Sequence, residues 1–158
     1  MAQQSRSAAA ISKKKAATKL TEIGWCELVD IPSLGLDKVH AKMDSGAATS
    51  SIHATRIKAF ERGGEPWAEF SFHASAKDHV IRLQAPVIDR RMVRSSNGKE
   101  QLRYVIAAQL KLGNLIWNGQ LTLANRGSMA FPVLIGRRGL KRGFLVNSSK
   151  KWMLGKPE

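Results

Sequence analysis

The chain has 158 residues, of which 43% are hydrophobic. That is enough for one domain with a real core, and it excludes a wholly disordered protein. Lysine and arginine outnumber acidic residues 26 to 12, which gives a net charge of +14. A net charge of this size is informative about binding partners, and it favours anionic ones: nucleic acid, ribosomes, anionic membrane surfaces or acidic peptides. The single cysteine, Cys26, excludes an intramolecular disulfide and every zinc motif built on several cysteines.

The N-terminal segment differs from the rest of the chain. Residues 1–20 are small, polar and basic, with no acidic residue, and we predict a disordered tail there, followed by one domain at 21–158. The tail is either a solubilising leader or cloning remnant, or an arm that binds nucleic acid. No stretch approaches the roughly twenty apolar residues of a membrane span. We therefore expect a cytoplasmic protein with no membrane partner.

Alternating apolar and polar residues predict β-strands in the domain. In the first clear case Val39, Ala41 and Met43 alternate with polar residues and run directly into Asp44. Similar alternation marks three later segments, at residues 69–73, 81–87 and 102–112. No window shows helical periodicity over three turns. The pattern therefore predicts an all-β fold, either a closed barrel or a sandwich.

Turn residues connect the predicted strands. Asn97-Gly98 is the strongest hairpin signal in the sequence, because both residues tolerate the positive φ of a type I′ turn. Gly113-Asn114 predicts a second tight turn, which leads into a strand at residues 115–123. Residues 137–141 could form the one short helix that the sequence allows.

Asp44-Ser45-Gly46 follows a predicted strand and precedes a run of small residues. This order suits the active site of an aspartic protease. The carboxylate of Asp44 would activate water, the hydroxyl of Ser45 would fix the loop, and Gly46 would let backbone approach the substrate. The alternative is an ordinary turn, since Asp, Ser and Gly all favour turns.

A second segment strengthens the catalytic interpretation. Residues 133–135 form a short apolar run that ends in Gly136-Arg137. Together the two segments resemble the retropepsin-like aspartic proteases, in which they form the floor of one half of the active site, with a flap hairpin between them. Residues 93–99 occupy the place of the flap. The resemblance implies a closed β barrel and a homodimer, with Asp44, Ser45 and Gly46 as catalytic residues.

A closer resemblance covers nearly all of residues 23–155. It is to a bacterial and archaeal family that is described both as retropepsin-like and as ATP-dependent zinc proteases. The matching segments are residues 23–25, 42–47, 49–50, 93–98, 103–105, 125–126, 134–138 and 144–146. Family members are associated with ligases that add glutamates to the tail of a ribosomal protein. The resemblance therefore suggests a glutamate ligase or a ribosomal protein as a partner.

Charge and resemblance together predict an acidic, glutamate-rich peptide or protein tail as the substrate. Basic residues lie on or beside the proposed flap and floor, and a basic cleft concentrates anionic ligands. The predicted substrate-binding residues are Ala47, Arg94, Asn97, Gly98, Arg103 and Arg137. Retroviral enzymes pair the arginine of Gly-Arg with an aspartate two residues after the motif glycine. Ala48 stands there in this chain, so Arg137 must find another partner or face the substrate.

Two rival interpretations remain open. The first is a zinc-dependent peptidase, although no two histidines have the i, i+4 spacing of a zinc-protease helix. A site assembled from Cys26, His40, Asp44 and His53 would still be possible. The second is a non-catalytic basic β module that binds ribosome or nucleic acid. The sequence has no Gly-rich loop ending in Gly-Lys-[Ser/Thr], and we predict neither a metal nor another cofactor.

Overall fold

The computed structural model describes residues 19–74, 79–94, 97–126 and 130–158. Most of the predicted tail, residues 1–18, lies outside these ranges. The strands are β1 (Thr21–Gly24), β2 (Cys26–Ile31), β3 (Leu36–Met43), β4 (Ser50–His53), β5 (Thr55–Arg62), β6 (Glu65–Phe72), β7 (Ile81–Arg94), β8 (Glu100–Leu112), β9 (Leu115–Ala124), β10 (Val133–Ile135) and β11 (Phe144–Asn147). A 3₁₀ turn at Pro32–Leu34 joins β2 to β3, and helix α1 (Arg137–Leu140) follows β10.

Six strands form a closed barrel in the order β2-β3-β10-β4-β9-β8. The ring is completed where Asp30 on β2 pairs with Lys111 on β8. Strands β7, β6 and β5 continue the sheet outward from β8, while β1 and β11 form a separate parallel pair. The predicted all-β fold with a closed barrel and one short helix is confirmed. Within the described part of the chain, no helix has the length and apolarity needed to cross a membrane.

Strand β10 lies between β3 and β4, although β3 and β4 follow one another in the chain. It runs parallel to β3, with Ile135 beside Met43, and antiparallel to β4, with Leu134 opposite Ser51. The loop from β3 to β4 (residues 44–49) must therefore cross the end of β10. Since this loop carries Asp44, the topology brings the two motif segments of the sequence together.

The predicted alternation matches the burial of the strands. Val39 and Met43 are each 4% exposed and point into the core from β3. The largest fully buried hydrophobic side chains are Phe70, Ile23, Ile31, Ile52, Ile106, Leu110, Leu112, Leu121, Leu123, Ile135 and Val29. Two residues of the predicted apolar faces depart from the pattern. Ile81 is 46% exposed at the start of β7, and Leu102 is 44% exposed on β8 where that strand pairs only with β7.

The hairpin of β7 and β8 is present, but the predicted type I′ turn at Asn97-Gly98 is wrong. Arg94 pairs with Glu100, so the register centres on Asn97 and requires an odd number of connecting residues. A two-residue turn needs an even number. Gly98 does adopt a positive φ of 82°, which fits an odd-numbered loop with a glycine in the left-handed region. Residues 95–96 of the predicted flap lie outside the described ranges.

The second predicted turn is confirmed. Leu112 pairs with Leu115, so Gly113 and Asn114 form a two-residue connection between β8 and β9. Gly113 has a φ of 61°, as the primed hairpin turns require at their first central position.

A buried carboxylate fastens the C-terminal segment to the barrel. Glu27 on β2 is 0% exposed, and its carboxylate accepts hydrogen bonds from the backbone N–H groups of Gly24 at 2.6 Å, Met153 at 2.9 Å and Leu154 at 3.0 Å. Three backbone donors compensate the cost of burying this charge. These bonds place Met153 and Leu154 beside β2.

Candidate active site

Asp44 lies at the end of β3, in a loop that is held by backbone hydrogen bonds. The Asp44 N–H donates to the Ile135 carbonyl at 2.8 Å, which continues the parallel pairing of β3 with β10 by one residue. One carboxylate oxygen of Asp44, Oδ1, accepts the Gly46 N–H at 2.9 Å, and the Asp44 carbonyl accepts the Ala47 N–H at 3.3 Å. Asp44 itself is partly exposed. The carboxylate is therefore fixed in direction and still open to solvent on one side.

The floor segment packs directly against this loop. A Cβ atom on Gly136 would lie 2.4 Å from the Thr49 carbonyl oxygen and 2.9 Å from that of Ala47, so only glycine fits. The Gly136 N–H donates to the buried Ser50 hydroxyl at 3.0 Å. The N–H of Arg137 then donates to the Ala47 carbonyl at 2.7 Å. Helix α1 thus begins with its first N–H groups bound to the loop that carries Asp44.

The Arg137 side chain binds backbone carbonyls, in place of the aspartate with which the arginine pairs in retroviral enzymes. Its Nη1 donates to the carbonyl oxygens of Ser45 and Gly46, each at 3.0 Å. A guanidinium that binds two backbone carbonyls holds the Asp-Ser-Gly segment from outside the barrel. In this structure the known contacts of Arg137 are therefore with the loop, and its predicted contact with substrate stays a prediction.

Arg126, just after β9, brings a positive charge to the same side of the barrel. Its Nη1 donates to the Ser51 hydroxyl at 2.9 Å and its Nε to the Phe131 carbonyl at 3.3 Å. Burial lowers the pKa of the Arg126 guanidinium, the charge of Asp44 raises it, and the charge of Arg103 lowers it. The Arg126 guanidinium therefore lies within electrostatic range of both the Asp44 carboxylate and the Arg103 guanidinium.

The buried side chain of His53 contacts the backbone of Arg126. The Arg126 N–H donates to the imidazole Nδ1 of His53 at 3.0 Å, and the His53 ring meets the His73 ring edge-on at 4.9 Å. His53 is only 5% exposed, and its Nε2 has no hydrogen-bond partner among the described residues. Burial lowers the pKa of His53, as do the charges of His73 and Arg126. The neutral ring is therefore the form that the fold favours.

The predicted substrate-binding residues of the β7–β8 hairpin lie at different distances from its tip. Arg94, near the tip, forms an ion pair with Glu100 at 3.1 Å, and Asn97 and Gly98 belong to the tip itself. Arg103 lies nearer the barrel, directly opposite Arg91 in the β7–β8 ladder. The Nε of Arg103 is buried and has no hydrogen-bond partner among the described residues. The positive charge of Arg103 lowers the pKa of Arg126.

The described residues do not gather the candidates for a zinc site. No three His, Cys, Asp or Glu side chains in these ranges form a group that could hold a metal. His40 packs against Trp152 at 5.1 Å, whereas His53 packs against His73, and Cys26 is buried in β2. The residues present therefore do not fit the zinc set that the family label suggests.

Sequence reasoning assigned no role to Ser50 or Ser51, and it considered His53 only as a candidate zinc ligand. Ser50 supports Gly136, and Ser51 and His53 position Arg126. Residues 49–50 and 125–126 appeared only as matches to a family. The available signal was the three polar residues of a short strand that begins directly after the motif loop.

The fold and the loop geometry together define a retropepsin-like domain: a barrel whose Asp-Ser-Gly loop rests on a hydrophobic-Gly-Arg floor. The family described as "RimB-like: Retropepsin-like aspartic endopeptidase RimB" matches residues 22–157. The chain belongs to this family, as the sequence resemblance predicted. The zinc-protease description has no support from this match.

Curated relatives carry a different name. Proteins named "Probable alpha-L-glutamate ligase" from Shewanella pealeana, Shewanella halifaxensis and Desulfotalea psychrophila are 43%, 44% and 41% identical to the chain over 133 residues. The match covers 83% of this chain and 28% of each relative. The chain therefore resembles less than a third of each of these longer proteins.

A solved structure shares the fold. The crystal structure of a protein of unknown function from Legionella pneumophila superposes with a TM-score of 0.71 and 22% sequence identity. The superposition covers 85% of this chain and 98% of the Legionella protein. At this identity the similarity concerns the fold alone.

We predict that Arg137→Gln loosens the Asp44 loop. Glutamine cannot supply a guanidinium to the carbonyls of Ser45 and Gly46, so local opening becomes easier. Amide hydrogen exchange at residues 45–47 should become about tenfold faster, as measured by mass spectrometry or NMR. Arg138→Gln is the matched control, because this exposed neighbour donates to the loop only through its backbone. Equal exchange in the two variants would contradict the assigned role of Arg137.

We also predict that His53 makes the fold sensitive to acid. Because its pKa is lowered in the folded state, the unfolded chain binds a proton more readily below about pH 6.5. The free energy of unfolding should then fall as the pH drops from 7 to 5. His53→Asn keeps an acceptor for the Arg126 N–H but does not titrate, so urea unfolding of this variant should show a smaller fall. If the free energy of unfolding depended on pH in the same way in the wild type and in His53→Asn, His53 would not be the source of the acid sensitivity.

Proposed function

We propose that the protein is a homodimeric aspartic peptidase that uses two copies of Asp44 to hydrolyse acidic peptides. The observation that carries this proposal is the fixed carboxylate of Asp44, held by the Gly46 N–H at 2.9 Å on a floor that only Gly136 can form. Membership of a retropepsin-like aspartic endopeptidase family supports the same chemistry.

The mechanism follows from two carboxylates that share one proton. At about 3 Å apart the two groups cannot both ionise cheaply, so one is protonated and one is charged. The charged carboxylate takes a proton from the attacking water, and the protonated one donates to the carbonyl oxygen of the scissile bond. The apparent pKa values then belong to the pair of carboxylates and not to either residue. Ser45 and Gly46 hold the loops that carry the two groups.

One chain supplies only half of such a pair. Asp44 is the only aspartate in the sequence that is followed by Ser-Gly or Thr-Gly. A two-fold axis provides the second carboxylate without further residues. The β7–β8 hairpin would then cover the cleft, and its exposed pair of Met92 and Leu102, at 60% and 44%, offers apolar surface to a bound peptide.

The glutamate-ligase names of the relatives fit a peptidase that acts on glutamate-rich tails. The chain corresponds to only 28% of those proteins, so we infer that the ligase name describes their remaining part. A basic peptidase domain attached to a ligase would act on the acidic product of that ligase. For this chain the proposed partners are thus a glutamate ligase and an acidic tail, such as that of a ribosomal protein.

The central test is Asp44→Asn. The amide is nearly isosteric, but it can neither act as a base nor share a proton, so hydrolysis of a glutamate-rich peptide should fall at least about 1000-fold. Peptide cleavage is followed by mass spectrometry, and circular dichroism checks the fold. Activity of the wild type should survive EDTA.

Asp37→Asn is the matched control, because Asp37 is an exposed aspartate on β3, the strand that leads into Asp44. It should cleave at the wild-type rate. Unchanged hydrolysis by Asp44→Asn would exclude the aspartic mechanism. If EDTA silenced the wild type and zinc restored it, the chain would be a metallopeptidase. If the wild type showed no cleavage of any peptide and instead bound RNA, the protein would be a binding module, and its net charge of +14 would serve that binding.

A further test concerns the dimer. If each active site needs Asp44 from two chains, the specific activity should rise with protein concentration, in step with the dimer fraction. Sedimentation velocity measures that fraction under the conditions of the assay. Mixing wild type with excess Asp44→Asn should also inhibit, because mixed dimers hold only one competent carboxylate. Full activity in a monomeric sample would rule out the shared site.

A further inference from the structure

Two adjoining cavities lie beside helix α1, on a surface that the proposed peptidase mechanism does not use. The larger, of about 500 Å³, lies between the residues that lead into β1, the turn from β8 to β9 and the residues that precede β11. The smaller, of about 180 Å³, lies between α1 and the first half of β9. Arg142 lines both cavities, and the described residues that line them do not include residues 44–46. A ligand that filled both cavities would therefore pass Arg142.

The charged side chains that line the two cavities are all basic. Among the described residues they are Lys19, Arg138, Lys141 and Arg142, and all four are exposed. None of the four forms an ion pair within the described part of the chain. Positive charge that is gathered without a neighbouring carboxylate attracts a polyanion, and the attraction weakens as salt rises.

Apolar side chains line much of the rest of each cavity. Leu20 and Leu154, which are 53% and 38% exposed, line the larger cavity together with the half-buried Phe144. Trp117 lines the smaller cavity. The ring centroids of Trp117 and Phe144 lie 6.2 Å apart, within the range of an aromatic contact, so aromatic surface continues from one cavity to the other.

This combination of surfaces matches a nucleic acid strand better than it matches an acidic peptide. Glutamate side chains could pair with the four cations, but they would leave the apolar lining without a partner. A single strand carries a planar, largely apolar base on every charged phosphate unit, and proteins bind such strands with basic grooves and aromatic side chains. Thr21 and Asn114 also line the larger cavity, and a hydroxyl and an amide can bind the 2′-hydroxyl of a ribose.

We propose that the two cavities bind consecutive nucleotides of a single-stranded RNA, with the phosphate between them at Arg142. One base with its ribose occupies the larger cavity, and the next base occupies the smaller one. Lys19, Lys141 and Arg138 bind the flanking phosphates. This site is independent of the proposed peptidase function, because it would hold the protein on RNA whether or not Asp44 is catalytic.

Fluorescence anisotropy on the full chain tests the phosphate contact. A labelled single-stranded RNA of about 12 nucleotides is titrated at salt concentrations from about 50 to 300 mM. Arg142→Gln should weaken binding about tenfold. It should also reduce the slope of log K against log salt by about 0.7, the value for one lost phosphate contact with a single strand. Arg142→Lys keeps the charge and should restore most of that slope.

Arg62→Gln is the matched control for net charge. It removes an equal charge from the outer end of the sheet, where the Arg62 guanidinium lies 4.1 Å from the centroid of the Trp67 ring. Its affinity for RNA should stay within about twofold of the wild type, with the same slope. If Arg62→Gln and Arg142→Gln lost affinity equally, RNA would respond only to the net charge of the protein, and the proposed site would be wrong.

Leu20→Asn tests the base in the larger cavity. Since Leu20 is more than half exposed, the fold should survive, as circular dichroism can check. Loss of apolar surface should weaken RNA binding about fivefold, while the salt slope stays the same because no charge is removed. An unchanged affinity would contradict the placement of a base there.

Three further ligands separate RNA from other polyanions. Single-stranded DNA of the same sequence lacks the 2′-hydroxyl, and duplex RNA keeps its bases stacked inside, so each should bind at least about threefold more weakly than single-stranded RNA. Equally tight binding of either one overturns the proposal. So does a glutamate peptide of equal charge whose affinity falls more than that of RNA in Arg142→Gln, since the site would then serve an acidic protein. Asp44→Asn should bind RNA like the wild type, which separates this result from the test of the peptidase.

Discussion

The contact between the backbone of Gly136 and the loop that follows β3 is the constraint on which the site depends. A side chain at position 136 would begin 2.4 Å from the Thr49 carbonyl oxygen, so any other residue would push the loop away from β10. The same approach lets the N–H groups of Arg137 and Arg138 reach the carbonyls of Ala47 and Ala48. The first turn of α1 is satisfied by these bonds, and without the loop its donors would have no partner. Asp44 is therefore positioned by a floor that is itself completed by the Asp44 loop.

This mutual support explains how the chain manages without the aspartate that retroviral enzymes carry after the motif glycine. With Ala48 in that place, Arg137 binds the Ser45 and Gly46 carbonyls, and the loop keeps its shape through neutral acceptors. One consequence is electrostatic. A guanidinium paired with an aspartate contributes little net charge, whereas one bound to carbonyls keeps its full positive charge. The side of the barrel that carries Asp44 thus stays strongly basic.

The sequence was sufficient to predict where the strands lie but not how they pair with one another. Residues such as Val39, Ala41 and Met43 reveal a strand because one face is buried and the other is not. Strand β10 has only three residues, too few for a period, so its insertion between β3 and β4 could be anticipated only from family resemblance. The turn at Asn97 was misjudged because the register is set by the pairing of whole strands, and that pairing overrode the local preference of Asn-Gly. The contact of His53 with Arg126 joins positions 73 residues apart, and no local pattern encodes it.

The charge of Arg103, which has no ion pair among the described residues, bears on the proposed choice of an acidic substrate. Placing Arg103 opposite Arg91 costs stability in the free protein, and partial burial of Arg126 adds to that cost. A bound carboxylate would relieve both costs at once, since it neutralises the arginines and replaces the water that burial excludes. A neutral peptide would leave both costs in place and a cationic one would increase them. Under the proposed function, a preference for acidic peptides would therefore draw on destabilisation that is already present in the free protein.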